Sequence, residues 1–472
     1  MDTSGKTCIA HTFSERLNLH QMLRASFFCS RSALQDATRI IPTIAAMLAR
    51  SNPKIGSAIC EILVGDPDVA NLNSLPHQFS SLIVNPIKSA IDEDVNIYKV
   101  IVIDALDECS QPQIVVSLIK AILNGVADIP LKFCIVSRPE DWIKSAFRHS
   151  ARSSFFQDFS LHDVPKSDVQ HDIEAYLKSA LSEISNARGY SQHDSPWPPE
   201  EEVKALLIGL DGLFIYAATA IRYIAAQGAN FRRRLSNIAC GSTPVLRVNT
   251  IDNLYLMIVD QAFGQLDDGE CILRREVLAS VVLIQTPLSM AGIASLLDIP
   301  KDQVEADLSL FHSVIHIPPG SRGHISIFHA SFREFIVDPV RCGDVHHVDT
   351  SKGHVMLAVK CLQSMNKSLQ RNICNLPEDR IGALTHEIPD LSIIPEALRY
   401  SCLHWASHLV DGFSHGVVDV SPVLKSLRTF IDEHLLHWFE CLSVLGGLEG
   451  GLKSLLKTNE TLSASSQHDE NN

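Results

Sequence analysis

No stretch limits the fold of this chain more than Val100-Ile101-Val102-Ile103-Asp104. Its four apolar residues are consecutive rather than alternating, so a strand formed here needs cover on both faces. Phe133-Cys134-Ile135-Val136 repeats the pattern, and Ala25–Cys29 precedes both. Each run is bounded by polar or Pro-containing turns and separated from the next by helical periodicity. Doubly buried strands alternating with helices predict a parallel sheet in an α/β layer over residues 1–145. Ligands of such sheets bind outside the carboxyl ends of the strands. The polar residues that follow each run are therefore the first places to look for chemistry.

Composition removes several classes of function. With 54 Asp+Glu against 40 Lys+Arg the net charge is −14, which argues against nucleic acid or an anionic membrane as a bulk partner. The 12 cysteines form no C-x-x-C pair, and several sit inside apolar runs. They read as reduced thiols rather than a zinc site or a disulfide framework. The longest apolar stretch, Ala205 to Ala226, carries Asp211 and Arg222 and reads as one core helix rather than a membrane span. The opening MDTSGKT has no secretory pattern. A cytoplasmic location is expected.

Residues 146–248 read as helical. Ile173, Tyr176, Leu177 and Leu181 make one stripe, and Leu206, Leu210, Leu213, Phe214, Ala217 and Ile221 another. Arg232–Arg234 reads as a solvated helix end. Residues 249–342 give helices closed by two short alternating strands around Pro318-Pro319-Gly320-Ser321-Arg322-Gly323, the pattern of a winged helix. The helix before that hairpin carries Asp302, Glu305 and Asp307, so groove docking on DNA is not expected. Residues 343–457 are helical again, and the polar tail 458–472 is expected to be disordered. His346, His347 and His354 fall in a polar connector and read as solvated rather than metal-binding.

Chemistry concentrates at the ends of the strands. Ser4-Gly5-Lys6-Thr7 opens a helical pattern and matches the second half of a P-loop, G-x-x-x-x-G-K-[ST]. There the helix N-terminus and the Lys hold phosphate, and the Thr hydroxyl serves Mg²⁺. The first Gly of that motif would fall at position zero, and no strand precedes the loop. Asp104, at the carboxyl end of its strand, has the form of a Walker B residue that reaches the Mg²⁺ shell. Asp107 and Glu108 follow it, and Arg138 ends the third run, where it can point at a phosphate.

Ile101–Cys109 (IVIDALDEC) with Phe133–Glu140 (FCIVSRPE) resembles the NACHT branch of the STAND signalling ATPases, especially the large fungal, NLR-like set. Leu210–Ala217 (LDGLFIYA) and Ile327–Phe335 (IFHASFREF) resemble further segments of that group. Leu398–Leu409 and His434–Gly446 are similar to its helical linker, so the likeness covers residues 1–456. It implies an α/β P-loop NTPase with an incomplete parallel sheet, followed by a helical domain, a winged helix and an α-helical linker domain. The implied boundaries are 1–145, 146–248, 249–342 and 343–457.

The resemblance also implies an ATP/ADP-gated signal-transduction switch, held closed by ADP and opened by exchange for ATP. Its partners would be proteins, with a homo-oligomer on activation and neither nucleic acid nor membrane. Gly5, Lys6 and Thr7 would bind phosphate, and Thr7 with Asp104 would hold Mg²⁺. Asp107 or Glu108 would position the attacking water as catalytic groups. Arg138 would sense phosphate, and His329 would reach the β-phosphate of ADP in the closed form.

In this family the strand before the P-loop lies inside the sheet. Its loss would leave neighbouring strands with unpaired backbone groups at about 1–3 kcal/mol each, against a total stability of about 5–15 kcal/mol. Truncation of the sequence at its N-terminus is the expected explanation; a rearranged layer or another segment in the gap are the alternatives. With the P-loop incomplete, hydrolysis is expected to be weak or lost, at most that of a weak ATPase. The competing reading is a non-catalytic protein-interaction scaffold with a remnant NTPase layer.

Overall fold

The computed structural model describes residues 5–29, 37–71, 74–90, 99–109, 111–148, 156–161, 164–189, 197–210, 212–226, 230–241, 250–264, 266–318, 323–344, 346–375, 391–413 and 421–469. The chain packs as two compact units, Met1–Asp172 with Gly212–Ile215, and Ile173–Asp211 with Tyr216–Asn472.

The first unit holds a parallel sheet of β1 (Leu23–Phe28), β2 (Lys99–Asp104) and β3 (Leu131–Ile135), in that spatial order. β2 is the central strand, as its unbroken apolar run requires. Val100 and Val102 pack on Ala10 and Leu17 of the helix Lys6–Leu19. Ile101 and Ile103 join the larger core with Ile41, Ile44, Leu118 and Ile122 from helices Ile40–Ser51 and Pro112–Gly125.

Among the described residues β2 has a neighbour on both sides, while β1 and β3 each form an edge of the sheet. β2 pairs with β1 from Leu23↔Val100 to Phe28↔Asp104 and directly with β3 from Lys99↔Leu131 to Ile103↔Ile135. The ladder continues past the strand ends, with Cys29 N–H donating to the Asp104 carbonyl at 3.0 Å and Val136 N–H to that of Ile103 at 2.8 Å. Direct pairing thus satisfies the backbone groups of β2 on both sides, while β3 is hydrogen-bonded within the sheet on its β2 side alone.

The single helix expected through Ala205–Ala226 is instead two, Glu200–Leu210 and Phe214–Ala225. Gly212 lies between them at φ +78°, a left-handed conformation that ends α-helices and that glycine adopts at low cost. Nor is Arg234 solvated: it donates to the Tyr223 carbonyl and lies over that ring, 4.3 Å from its centre.

In the second unit the helices Asp268–Leu283, Met290–Leu297 and Lys301–Ser309 lead into an antiparallel hairpin of β4 (Ile315–His316) and β5 (Ser326–Ile327), paired through Ile315↔Ile327. The hairpin tip, residues 319–322, lies outside the described residues. One carboxylate of the acidic helix has a structural task, because buried Asp307 accepts from Arg274 Nε at 2.7 Å.

The carboxy-terminal helices Thr350–Ser368, Glu396–Phe413 and Leu435–Leu445 bury the sequence-predicted stripe Leu398, Cys402, Trp405, Ala406 and Leu409. Trp405, Phe430 and Trp438 form an aromatic triangle with centroids 5.4–6.1 Å apart. The tail expected to be disordered from Thr458 is helical through most of its length, in Leu448–Asp469. No Gly or Pro interrupts it after Gly451, and Thr458 is buried.

The three connector histidines are engaged rather than solvated, each with a different partner. His346 Nε2 meets Asp260 at 2.6 Å, His347 Nε2 the Val337 carbonyl at 3.1 Å, and His354 Nδ1 meets His408 Nδ1 at 2.8 Å. His408 also contacts the Tyr400 hydroxyl at 2.6 Å, and His404 contacts Thr286. No helix among the described residues is long and apolar enough to cross a membrane.

Burial holds His404 down at about 4 and His408 well below 6.5. The folded chain keeps both rings neutral, whereas the unfolded chain protonates them near pH 6.5. Their contribution is therefore intact above pH 6.5 and is lost as pH falls from there towards 4. Each ring should cost about 1.4 kcal/mol per pH unit across that window. Denaturant unfolding between pH 7.5 and 4.5 should show this slope, and His404→Gln should reduce it.

Candidate functional site

Asp104 ends β2 with its side chain only 1% exposed, and neither carboxylate oxygen makes a hydrogen bond of ordinary geometry. Burial raises its pKa, while the Thr7 hydroxyl, the Ala105 N–H and the His11 ring nearby pull it back down. The next residue, Ala105, has φ 53° and ψ 42°. This left-handed conformation turns the chain straight into the one-turn helix Leu106–Glu108. A β-branched residue would clash there, so a small side chain directly after the Asp has a steric reason.

The helix Lys6–Leu19 starts beside this carboxylate. Gly5 caps it in the left-handed region, at φ 72° and ψ 20°, and brings no side chain of its own to the cap. The N–H groups at such a helix start are suited to receive an anion. A Cβ built on Gly5 would lie 3.9 Å from Phe214 Cβ, so the Gly-Leu-Phe segment after the helix break returns to this loop. Ser4 lies outside the described residues. His11 was not singled out by the sequence, although the signal was present: it lies four residues past Thr7, on the same helix face. Its ring stacks on Phe28 at 4.0 Å.

Asp107 and Arg138 come together as a pair. Asp107 Oδ1 accepts from Arg138 N–H at 2.9 Å and from the Ser137 hydroxyl at 3.3 Å, and Arg138 Nε lies 3.5 Å from Oδ2. Both side chains are largely buried. The partner strand helps to fix them, since Leu106 N–H donates to the Val136 carbonyl at 3.2 Å. The carboxylate is thus committed to holding the Ser137–Arg138 turn, a positioning task that spacing alone does not reveal. Glu108 closes the same one-turn helix, its N–H donating to Ala105 O at 2.9 Å.

His329 belongs to the second unit, where it caps the helix Ala330–Ile336. Its Nδ1 accepts from Ser331 N–H at 3.1 Å and lies 2.8 Å from the Ser331 hydroxyl, which in turn meets Tyr255 OH at 2.8 Å. A backbone amide can only donate, so Nδ1 carries no proton and the neutral ring bears its hydrogen on Nε2.

A hard divalent cation with oxygen ligands fits the first unit's site: a buried carboxylate lies beside the Thr7 hydroxyl at the start of a helix. Parallel strands, a helix opened by Gly-Lys-Thr and an acidic residue closing the central strand are compatible with a P-loop NTPase core followed by helical parts. Comparison with known proteins agrees. The family described as "Nephrocystin 3, N-terminal" matches residues 1–138, which contain the whole sheet and end at Arg138. Over 398 residues the chain is 21% identical to the vegetative incompatibility protein HET-E-1 of Podospora anserina. That match covers 75% of this chain and 26% of the relative, so the chain spans about a quarter of that protein's length. Both matches bear out the resemblance to fungal NACHT-type, NLR-like proteins drawn from the motifs.

Burial outweighs the neighbouring Thr7, Ala105 and His11 groups, so Asp104 lowers stability as pH rises above its ordinary 3.8 towards its raised value. Asp104→Asn should therefore stabilise the metal-free chain by about 1–2 kcal/mol at pH 7. Urea unfolding in a chelator reads this directly, and a destabilised variant would contradict it.

Proposed function

We propose that the first unit binds the phosphates of ATP or ADP with Mg²⁺, and that the chain is the switch region of a NACHT-type signalling protein. The observation that carries this reading is Asp104, buried and unpartnered at the carboxyl edge of a parallel sheet beside Thr7. Gly5 and the amides after it would receive a phosphate, with Lys6 supplying countercharge. Thr7 and Asp104 would hold the cation, which when bound neutralises and orients the phosphate oxygens. Arg138, fixed by Asp107, would face the terminal phosphate.

Hydrolysis would be weak or lost. Asp107 already serves Ser137 and Arg138, which leaves Glu108 as the remaining acidic candidate to position a water. In the second unit the helices and hairpin read as a winged helix, with the Nε2–H of His329 donating to the β-phosphate of ADP in the closed form. Release of that bond on exchange for ATP would permit assembly with protein partners or further copies of the chain, in the cytoplasm.

Ligand-induced stabilisation tests the reading. At a hundredfold excess over Kd, Mg-ADP should stabilise the wild-type chain by about 2.7 kcal/mol. Lys6→Ala should lose most of that shift, and Asp104→Asn should lose its dependence on Mg²⁺. Equal shifts in the wild type and both variants would remove the basis of the proposal.

A further inference from the structure

Behind the acidic turn lies a pair of thiols that the phosphate site does not use. Cys29 follows the last residue of β1, and Cys109 follows the one-turn helix Leu106–Glu108. Their sulfurs are 3.4 Å apart although 80 residues separate them in sequence. Both are free thiols and both are buried, at 7% and 6% exposure. Neither is loosely placed. The Cys29 N–H is bonded to the Asp104 carbonyl at 3.0 Å, which fixes the first sulfur against the end of β2. The second is set by the turn that begins at left-handed Ala105.

A disulfide needs its sulfurs about 2.05 Å apart, so closure asks for a displacement of roughly 1.3 Å, within reach of side-chain rotation and a small shift of the turn. We propose that Cys29 and Cys109 form a peroxide-responsive dithiol that closes to a disulfide and locks the turn Ala105–Cys109 onto the end of β1. The sulfur of one thiol attacks a hydroperoxide oxygen, breaking the O–O bond and giving a sulfenic acid and one water. The sulfur of the other attacks the sulfenic sulfur and displaces a second water. Two thiols lose two protons and two electrons, and one hydrogen peroxide becomes two waters. A small-molecule dithiol reverses the change by exchange. The proposal needs no nucleotide, so it stands or falls separately from the phosphate site.

A second close pair, Cys402 and Cys441 at 3.8 Å, lies between the helices Glu396–Phe413 and Leu435–Leu445 and touches no candidate site residue. Trypsin distinguishes the two, because each of the four cysteines falls in a different peptide with no other cysteine. The full chain, folded and reduced, is treated with hydrogen peroxide, alkylated and digested without reductant. The expected product is peptide 25–31 joined to peptide 100–120, two hydrogens lighter than their sum and released by dithiothreitol. Amide exchange over residues 105–109 should slow on the order of tenfold in the oxidised chain. Cys29→Ser and Cys109→Ser should each abolish the cross-link. The wild-type digest stands on its own if a variant folds poorly. Recovery of the two peptides only as alkylated thiols or sulfinic acids would overturn the proposal. So would a cross-link that leaves exchange in the turn unchanged.

Discussion

Everything at the candidate site depends on β2 being covered on both faces. A strand with Val100 and Val102 on one side and Ile101 and Ile103 on the other can sit only in the middle of a layered sheet. Its last residue is then carried into a place where water cannot solvate it. Asp104 is a carboxylate put there by its neighbours' hydrophobicity, and the two oxygens left without partners are the result. Such a group costs folding free energy unless something charged joins it. A stability rule is broken where ligand chemistry would occur.

The sequence made this layer legible because runs of apolar residues that do not alternate admit few structures. The three strands fall where the runs at Ala25, Val100 and Phe133 place them, and Asp104 and Arg138 lie at their carboxyl edge. The stripe Leu398–Leu409 was readable for a similar reason, since helical period and burial coincide. Which strands neighbour one another was not readable, because pairing joins residues far apart in sequence, as Lys99 with Leu131. The break at Gly212 was hidden by the apolar residues on either side, which mimic one continuous helix.

Side-chain commitments were the least legible. Asp107 and Glu108 look interchangeable in sequence, yet Asp107 is turned to Ser137 and Arg138 in the turn that follows β3. That choice follows from the left-handed backbone at Ala105, which no composition or period reports. Asp307 marked its helix as acidic, but its partner Arg274 lies on another helix, and the pair is a buried lock rather than a surface charge. His346 and His354 likewise looked solvated because their partners, Asp260 and His408, are distant in sequence.

The break at Gly212 also bears on how the chain is threaded. The residues Gly212–Ile215 pack with the first unit, while the segments on either side of them, Ile173–Asp211 and the stretch from Tyr216 onward, pack with the second. The polypeptide therefore passes from one unit to the other three times. Cutting one peptide bond cannot sort the chain into its two halves, because any single cut leaves a segment of one unit on the fragment that carries the other. Each unit is thus assembled from two separate stretches of chain, and producing either one alone calls for joining those stretches by a new connection.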